Sequence, residues 1–224
     1  MKTSLKTLLL VLLSLSMFSL TQDKPTKVIF FGDSITQAGV NPGGYITKMK
    51  EMLEKQGIKD KYQLTGAGIG GNKVYDLYLR MEDDVLSQKP DVVVIYVGVN
   101  DVWHKASYGT GTDADKFGNF YTALIKKMQS QGIKVICCTP AAIGERTDNS
   151  NQQDGDLNHY SNIIRTISAK FDCQLVDLRK EFIGYNLKNN PTNKESSILT
   201  TDRVHLNEIG NQFVADLMMK AVMK

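Results

Sequence analysis

Three cysteines among 224 residues give an odd count and no disulfide framework. Cys137 and Cys138 are adjacent, where a bridge is strained. All three, Cys173 included, sit in apolar, strand-like contexts that read as buried thiols. The paired-cysteine spacing of a zinc site is missing. Histidine is equally scarce, with three in the chain, so each deserves to be followed. Charge of one sign is also lacking. The formal net charge is +3, or about +1 without Lys2 and Lys6, and no basic run occurs. That leaves no electrostatic case for nucleic acid. No internal repeat or inter-domain linker is visible. The longest apolar stretch, residues 8–20, is short for a membrane span.

That stretch has a different reading. Lys2 and Lys6 precede it, and no acidic residue appears before Asp23. A basic end followed by a short apolar segment has the layout of a secretory signal, with cleavage near Ser19-Leu20-Thr21 and a mature chain starting near Gln22. An uncleaved anchor is the alternative. No cysteine near its end offers a lipid attachment point. The expected organisation is a signal peptide over 1–21 and a single domain over 22–224, secreted or periplasmic. It meets a membrane only through the signal segment before cleavage.

An apolar fraction of 42% and a charged fraction of 23% are those of an ordinary globular domain. Apolar, β-branched runs alternate with amphipathic segments. Residues 28–31 read as a buried strand ending at Gly32. Residues 45–56 have helical spacing, with Ile46, Met49 and Leu53 on one face and Gly57 as the stop. A short strand over 62–66 leads into a glycine-rich turn, and 74–86 is helical. Residues 91–97 form the strongest strand, apolar nearly throughout, as a central parallel strand covered on both faces would be. A polar loop follows, then a helix over about 113–131, a strand over 133–139 and a long polar segment, 144–155. A helix over 157–171, a strand over 173–176 and a helix over 207–222 complete the chain. This order predicts an α/β domain, a doubly wound parallel sheet of about five strands with helices on both faces. In such sheets the ligand site lies beyond the carboxyl ends of the strands.

The candidate chemistry falls at that edge. Ser34, in Gly32-Asp33-Ser34-Ile35, follows the first strand. A serine hydroxyl becomes a useful nucleophile when an imidazole takes its proton and a carboxylate orients the imidazole. Asp202 and His205, three residues apart ahead of the last helix, can share a helical turn or a tight loop and supply both groups. Equally, Gly-Asp-Ser alone is a capped helix start, since Asp and Ser oxygens accept unpaired helix N–H groups. The motif is not the Gly-x-Ser-x-Gly elbow. Ester attack also requires donors for an oxyanion. Gly71, which permits close backbone approach, follows the second strand, and Asn100 follows the third. Gly68, Gly70 and Gly71 lack the Lys-Ser/Thr ending of a phosphate loop, and no clean dinucleotide fingerprint follows the first strand. Asp33, Trp103 and His104 flank these positions as candidates to touch substrate. His159 opens a helical segment and reads as exposed.

Taken in order, Gly32-Asp33-Ser34, Gly71, Gly98-Val99-Asn100-Asp101 and Asp202-x-x-His205 resemble the blocks of the SGNH, or GDSL-type, hydrolases. The resemblance runs from Val28 to the final helix. It implies a three-layer flavodoxin-like fold and ester hydrolysis through an acyl-serine. Ser34 would be nucleophile and, through its own N–H, first oxyanion donor. Gly71 and Asn100 would complete the hole, His205 would be the base, and Asp202 would orient it. Gly66 departs from the family, many of whose members carry Asn there, which leaves Gly70 as a fallback for Gly71. The expected activity is hydrolysis of short acyl esters, acetyl groups on carbohydrate in particular. Neither metal nor organic cofactor is needed, and the partner is a small-molecule or oligosaccharide ester. A lipase or lysophospholipase and a non-catalytic sugar-binding module are the alternatives.

Overall fold

The computed structural model describes residues 24–224. The expected export segment and its cleavage point lie outside the described residues. Five parallel strands form one sheet: β1 (Thr26–Gly32), β2 (Tyr62–Gly68), β3 (Val92–Tyr96), β4 (Lys134–Cys138) and β5 (Gln174–Val176). Their spatial order is β2-β1-β3-β4-β5, the flavodoxin-like winding whose direction reverses between β1 and β3. Registry runs Val28 against Val92 and Val92 against Lys134. Every residue of β3 is buried, as its unbroken β-branched run requires.

Eight helices surround the sheet among the described residues. They are α1 (Ser34–Gly39), α2 (Tyr45–Lys55), α3 (Val74–Asp84), α4 (Val99–Tyr108), α5 (Ala114–Gln129), α6 (Asp154–Lys170), α7 (Leu178–Asn189) and α8 (Glu208–Val222). Helix α2 packs on α8, while α3, α5 and α6 lie side by side. Right-handed crossovers put the two groups on opposite faces. In α2, Tyr45, Ile46, Met49 and Leu53 turn inward at helical spacing. Each inward residue of this kind contributes about 1.5–3 kcal/mol when fully buried.

Two helices depart from the sequence reading. Residues 99–108, expected as a polar loop, form α4, and residues 178–189 form α7. The inner face of α7 carries Arg179 and Asn186 beside Leu178 and Phe182, and these buried polar side chains break the apolar stripe on which the helical reading depends. Helix α4 keeps Val99, Val102 and Trp103 at helical spacing, but Gly98 before it and the buried Asn100 and Asp101 in its first turn give the segment the look of a polar turn. At the other end, β1 runs directly into α1. Gly32 makes this junction possible: a Cβ there would lie 2.3 Å from the Tyr96 carbonyl and 2.4 Å from Thr36 Oγ1.

Candidate active site

Ser34 is the first residue of α1, at the carboxyl end of β1. Asp33 caps that helix: its Oδ1 accepts from the Ile35 N–H at 3.0 Å. The cap and the candidate nucleophile are therefore adjacent parts of one turn, and Asp33 is corrected from substrate contact to buried cap, only 1% exposed. Burial pushes its carboxyl up to about 7. The Asp101 charge works in the same direction, against the Ile35 N–H and the nearby His205. Asp101 is itself buried, which raises it to about 6; Oδ1 accepts from the Val74 N–H and Oδ2 has no hydrogen-bond partner among the described residues.

His205 stands in a loop ahead of α8. Its Nε2 is 2.9 Å from Ser34 Oγ, and its Nδ1 is 2.7 Å from Asp202 Oδ2. The i,i+3 pair is a tight turn rather than a helix face, because Asp202 Oδ1 also accepts from the N–H groups of Val204 (3.1 Å) and His205 (2.8 Å). Partial burial would raise the Asp202 carboxyl. The hydrogen bonds from the His205 ring and from these two N–H groups outweigh it and hold the carboxyl below its ordinary value. Asp202 stays ionised and fixes the imidazole with Nδ1 as donor, leaving Nε2 to accept from the serine hydroxyl.

This loop is held from outside itself. Arg203 has a φ of +84°, a conformation that residues other than glycine rarely adopt. Its carbonyl accepts from the Gly144 N–H at 2.9 Å, and its guanidinium pairs with Glu195 at 2.9 Å. Glu145, buried, accepts from three successive N–H groups: Ile198 (2.9 Å), Leu199 (2.6 Å) and Thr200 (3.0 Å). A carboxylate bonded this way replaces its lost hydration with directed donors. Nothing in the polar composition of 144–155 singled out Glu145.

The glycine turn settles beside Ser34. A Cβ on Gly70 would lie 4.0 Å from Ser34 Cβ. The Gly70 N–H is already taken, donating to Gln37 Oε1 at 2.9 Å. The N–H groups of Ser34 and Gly71 have no hydrogen-bond partner among the described residues. Gly71, at φ +77°, is thus the residue of the two with a free donor. Asn100, 2% exposed, gives one amide hydrogen to the Asn72 carbonyl at 3.1 Å; its amide carries a second. Arg80, which sequence reasoning passed over, locks this corner. It donates to Asn72 Oδ1 (2.7 Å), the Gly32 carbonyl (2.8 Å) and the Ala67 carbonyl (3.0 Å), pairs with Asp84 at 2.6 Å, and lies 4.5 Å over the Phe31 ring. One planar guanidinium joins the ends of β1 and β2 to the turn bearing Gly71. Lys73, buried, closes the same turn by donating to the Gly71 carbonyl at 3.2 Å.

Trp103 and His104 line the site from α4. The Trp103 ring stands edge-on to His205 at 6.3 Å, and His104 Cε1 faces Gly71. Burial, then the Lys73 charge, lowers His104, which keeps its imidazole neutral around pH 7. His159 is exposed on α6, and the three cysteines are free thiols.

A flavodoxin-like sheet with serine, imidazole and carboxylate in a hydrogen-bonded line at its switch-point edge defines a class, the serine ester hydrolases of doubly wound fold. Comparison with known proteins makes this particular. The model of the GDSL-like lipase/acylhydrolase family matches residues 30–213, and the chain belongs to that family. It is 27% identical over 214 residues to an acetylxylan esterase of Geobacillus stearothermophilus, covering 88% of this chain and 93% of that one. The crystal structure of an acetyl xylan esterase, AlAXEase, is similar at a TM-score of 0.87 and 71% identity, over 88% of this chain and 99% of that one. LAE5, an alpha/beta hydrolase from the metagenome of Lake Arreo, Spain, superposes at a TM-score of 0.78 with 25% identity, over 88% and 95% of the two chains. Membership sets aside the non-catalytic sugar-binding module considered above.

Proposed function

We propose that this chain is an exported esterase that removes acetyl groups from carbohydrate esters, with Ser34 as nucleophile. The observation that carries the catalytic assignment is the line Ser34 Oγ, His205, Asp202, at 2.9 and 2.7 Å. His205 Nε2 takes the hydroxyl proton as Ser34 Oγ attacks the ester carbonyl. The carbonyl oxygen becomes an anion, received by the Ser34 and Gly71 N–H groups and the Asn100 amide. The sugar leaves as an alcohol, carrying the proton from His205, and the acetyl group stays on Ser34. Water, deprotonated by the same imidazole, then attacks the acyl carbonyl. Acetate departs, and the proton returns to Ser34 Oγ. Asp202 remains a carboxylate throughout.

Acetyl carbohydrate as substrate is supported by the activity named for two relatives, each spanning most of this chain. Export is supported by Lys2, Lys6 and the apolar run over 8–20; a mature N-terminus near Gln22 on protein recovered from its host is the expected result, and an intact Met1 on cytoplasmic protein refutes it. The substrate reading is tested by acetate release from acetylated xylooligosaccharides, alongside chromogenic esters of increasing acyl length. Turnover should be fastest with acetyl and absent in Ser34→Ala. Preference for long acyl chains, with no acetate released from carbohydrate, overturns it in favour of a lipase.

A further inference from the structure

Helix α4 begins inside the site and ends in solvent. Asn100, His104 and Tyr108 are spaced by four residues and therefore share one face. From the first to the last is about 12 Å along the axis. Asn100 is buried, His104 faces the Gly71 turn, and Tyr108 is 70% exposed. The rings form a connected series outward from the reactive imidazole: His205 to Trp103 at 6.3 Å, Trp103 to His104 at 5.7 Å, His104 to Tyr108 at 5.1 Å and 77°. A single exposed tyrosine needs no explanation. This one differs because it continues an aromatic path that starts at the reacting atoms.

The outer end of the path is tied back to the helix by hydrogen bonds. Gly109 ends the helix at φ +69° with its N–H on the His104 carbonyl, and the Thr110 N–H bonds to the same carbonyl at 3.2 Å. The Thr112 N–H reaches back to the Asp101 carbonyl at 3.2 Å, and Lys105 pairs with Asp113 at 2.8 Å. Tyr108 is thus presented by a fixed helix end, so little backbone freedom is lost on binding.

We propose that this face of α4 is a binding subsite for sugar rings that adjoin the acetylated one, with Tyr108 as its outer platform. The proposal rests on the acetyl-carbohydrate reading above. A sugar ring offers a C–H face that packs on an aromatic face, while its hydroxyls stay in water, and tyrosine suits such a half-wet surface. A long acyl chain would instead call for an apolar groove. The rings here carry a phenol, two imidazoles and an indole N–H.

The test compares three substrates: 4-nitrophenyl acetate, an acetylated xylose monosaccharide and acetylated xylooligosaccharides. Tyr108→Ala should lower the ratio of kcat/KM on the oligosaccharides to kcat/KM on 4-nitrophenyl acetate about tenfold, chiefly through KM. Tyr108→Phe and Tyr108→Trp, which keep a ring, should hold that ratio near the wild-type value. Unmodified xylooligosaccharide should inhibit the wild type more strongly than the Tyr108→Ala variant. An unchanged ratio in Tyr108→Ala, with wild-type activity on both carbohydrate substrates, overturns the subsite and leaves the acetyl-carbohydrate reading standing. Turnover of 4-nitrophenyl acetate with no acetate released from either carbohydrate overturns both.

Discussion

Two aspartates lie close to the same histidine and are treated in opposite ways. The Asp202 side chain is 49% exposed, bonds to the His205 ring and to two N–H groups, and is held below its ordinary range. Asp33 is buried against Ser34, accepts one hydrogen bond from Ile35, and is raised to about 7. The same functional group is an anion in one turn and retains a proton near neutrality in the other. Contact decides which carboxylate orients the imidazole, since Asp202 bonds to the ring and Asp33 does not; solvation and donor number decide that Asp202 is charged when it does so. The turn that carries the nucleophile is dry and the loop that carries the base is wet.

The largest effects are expected where the two regions meet. Ser34→Ala or His205→Ala should lower kcat by about 10⁶-fold, with the fold retained. A fluorophosphonate should label Ser34 and leave Ser34→Ala unlabelled; labelling of another serine under native conditions would break the assignment. Asp202→Asn should cost less, about 10⁴-fold, because the amide favours the wrong tautomer but leaves the base in place. Steady-state kinetics on an acetyl ester separate these ranks. If Asp33→Asn proved as damaging to kcat as Asp202→Asn, the contrast between the two carboxylates would fail.

Next in size is Asn100→Ala, expected to lower kcat about a hundredfold with KM nearly unchanged, since the amide gains most when the carbonyl oxygen becomes an anion. A raised KM, a lower melting temperature and a retained kcat would make Asn100 a former of α4 instead.

The smallest effect concerns pH and stability. Asp33 is raised in the fold from 3.8 to about 7, so the folded chain keeps a proton that the unfolded chain releases. The stabilisation from that proton is full below about pH 4 and is lost as pH rises towards 7. Asp33→Asn keeps an oxygen for the Ile35 N–H and has no charge to bury. The melting temperature of the variant relative to the wild type should therefore climb by about ten degrees between pH 4 and 8. A pH-independent difference would show that Asp33 is not strongly desolvated.

Much of this was legible in the chain, for identifiable reasons. The β1 and β3 strands announce themselves through unbroken apolar runs, Ser34, Gly71 and Asn100 through motif order after strands, and Asp202 and His205 through their spacing ahead of the last helix. Which of Gly70 and Gly71 keeps an N–H free was not legible, because it turns on Gln37, 33 residues away, occupying the Gly70 N–H. Arg80 and Glu145 were invisible for a similar reason: the bonds that tie them to the site go to carbonyl groups of Gly32 and Ala67 and to N–H groups of 198–200, which every residue but proline has and no pattern marks. Helices α4 and α7 escaped because polar side chains occupy their buried faces.

The grip of Glu145 on residues 198–200 bears on how far the catalytic parts can be moved. Asp202 and His205 lie three residues apart and look like a cassette that could be transplanted whole. They are not one. The chain that leads into their turn, residues 198–200, is held by a side chain more than fifty positions upstream, in a stretch whose composition suggests a dispensable spacer. Recombination between relatives that separates the two stretches would pass on an intact motif and a misaimed base. The heritable unit of this site is the pair of loops together, and chimeras should be cut outside both.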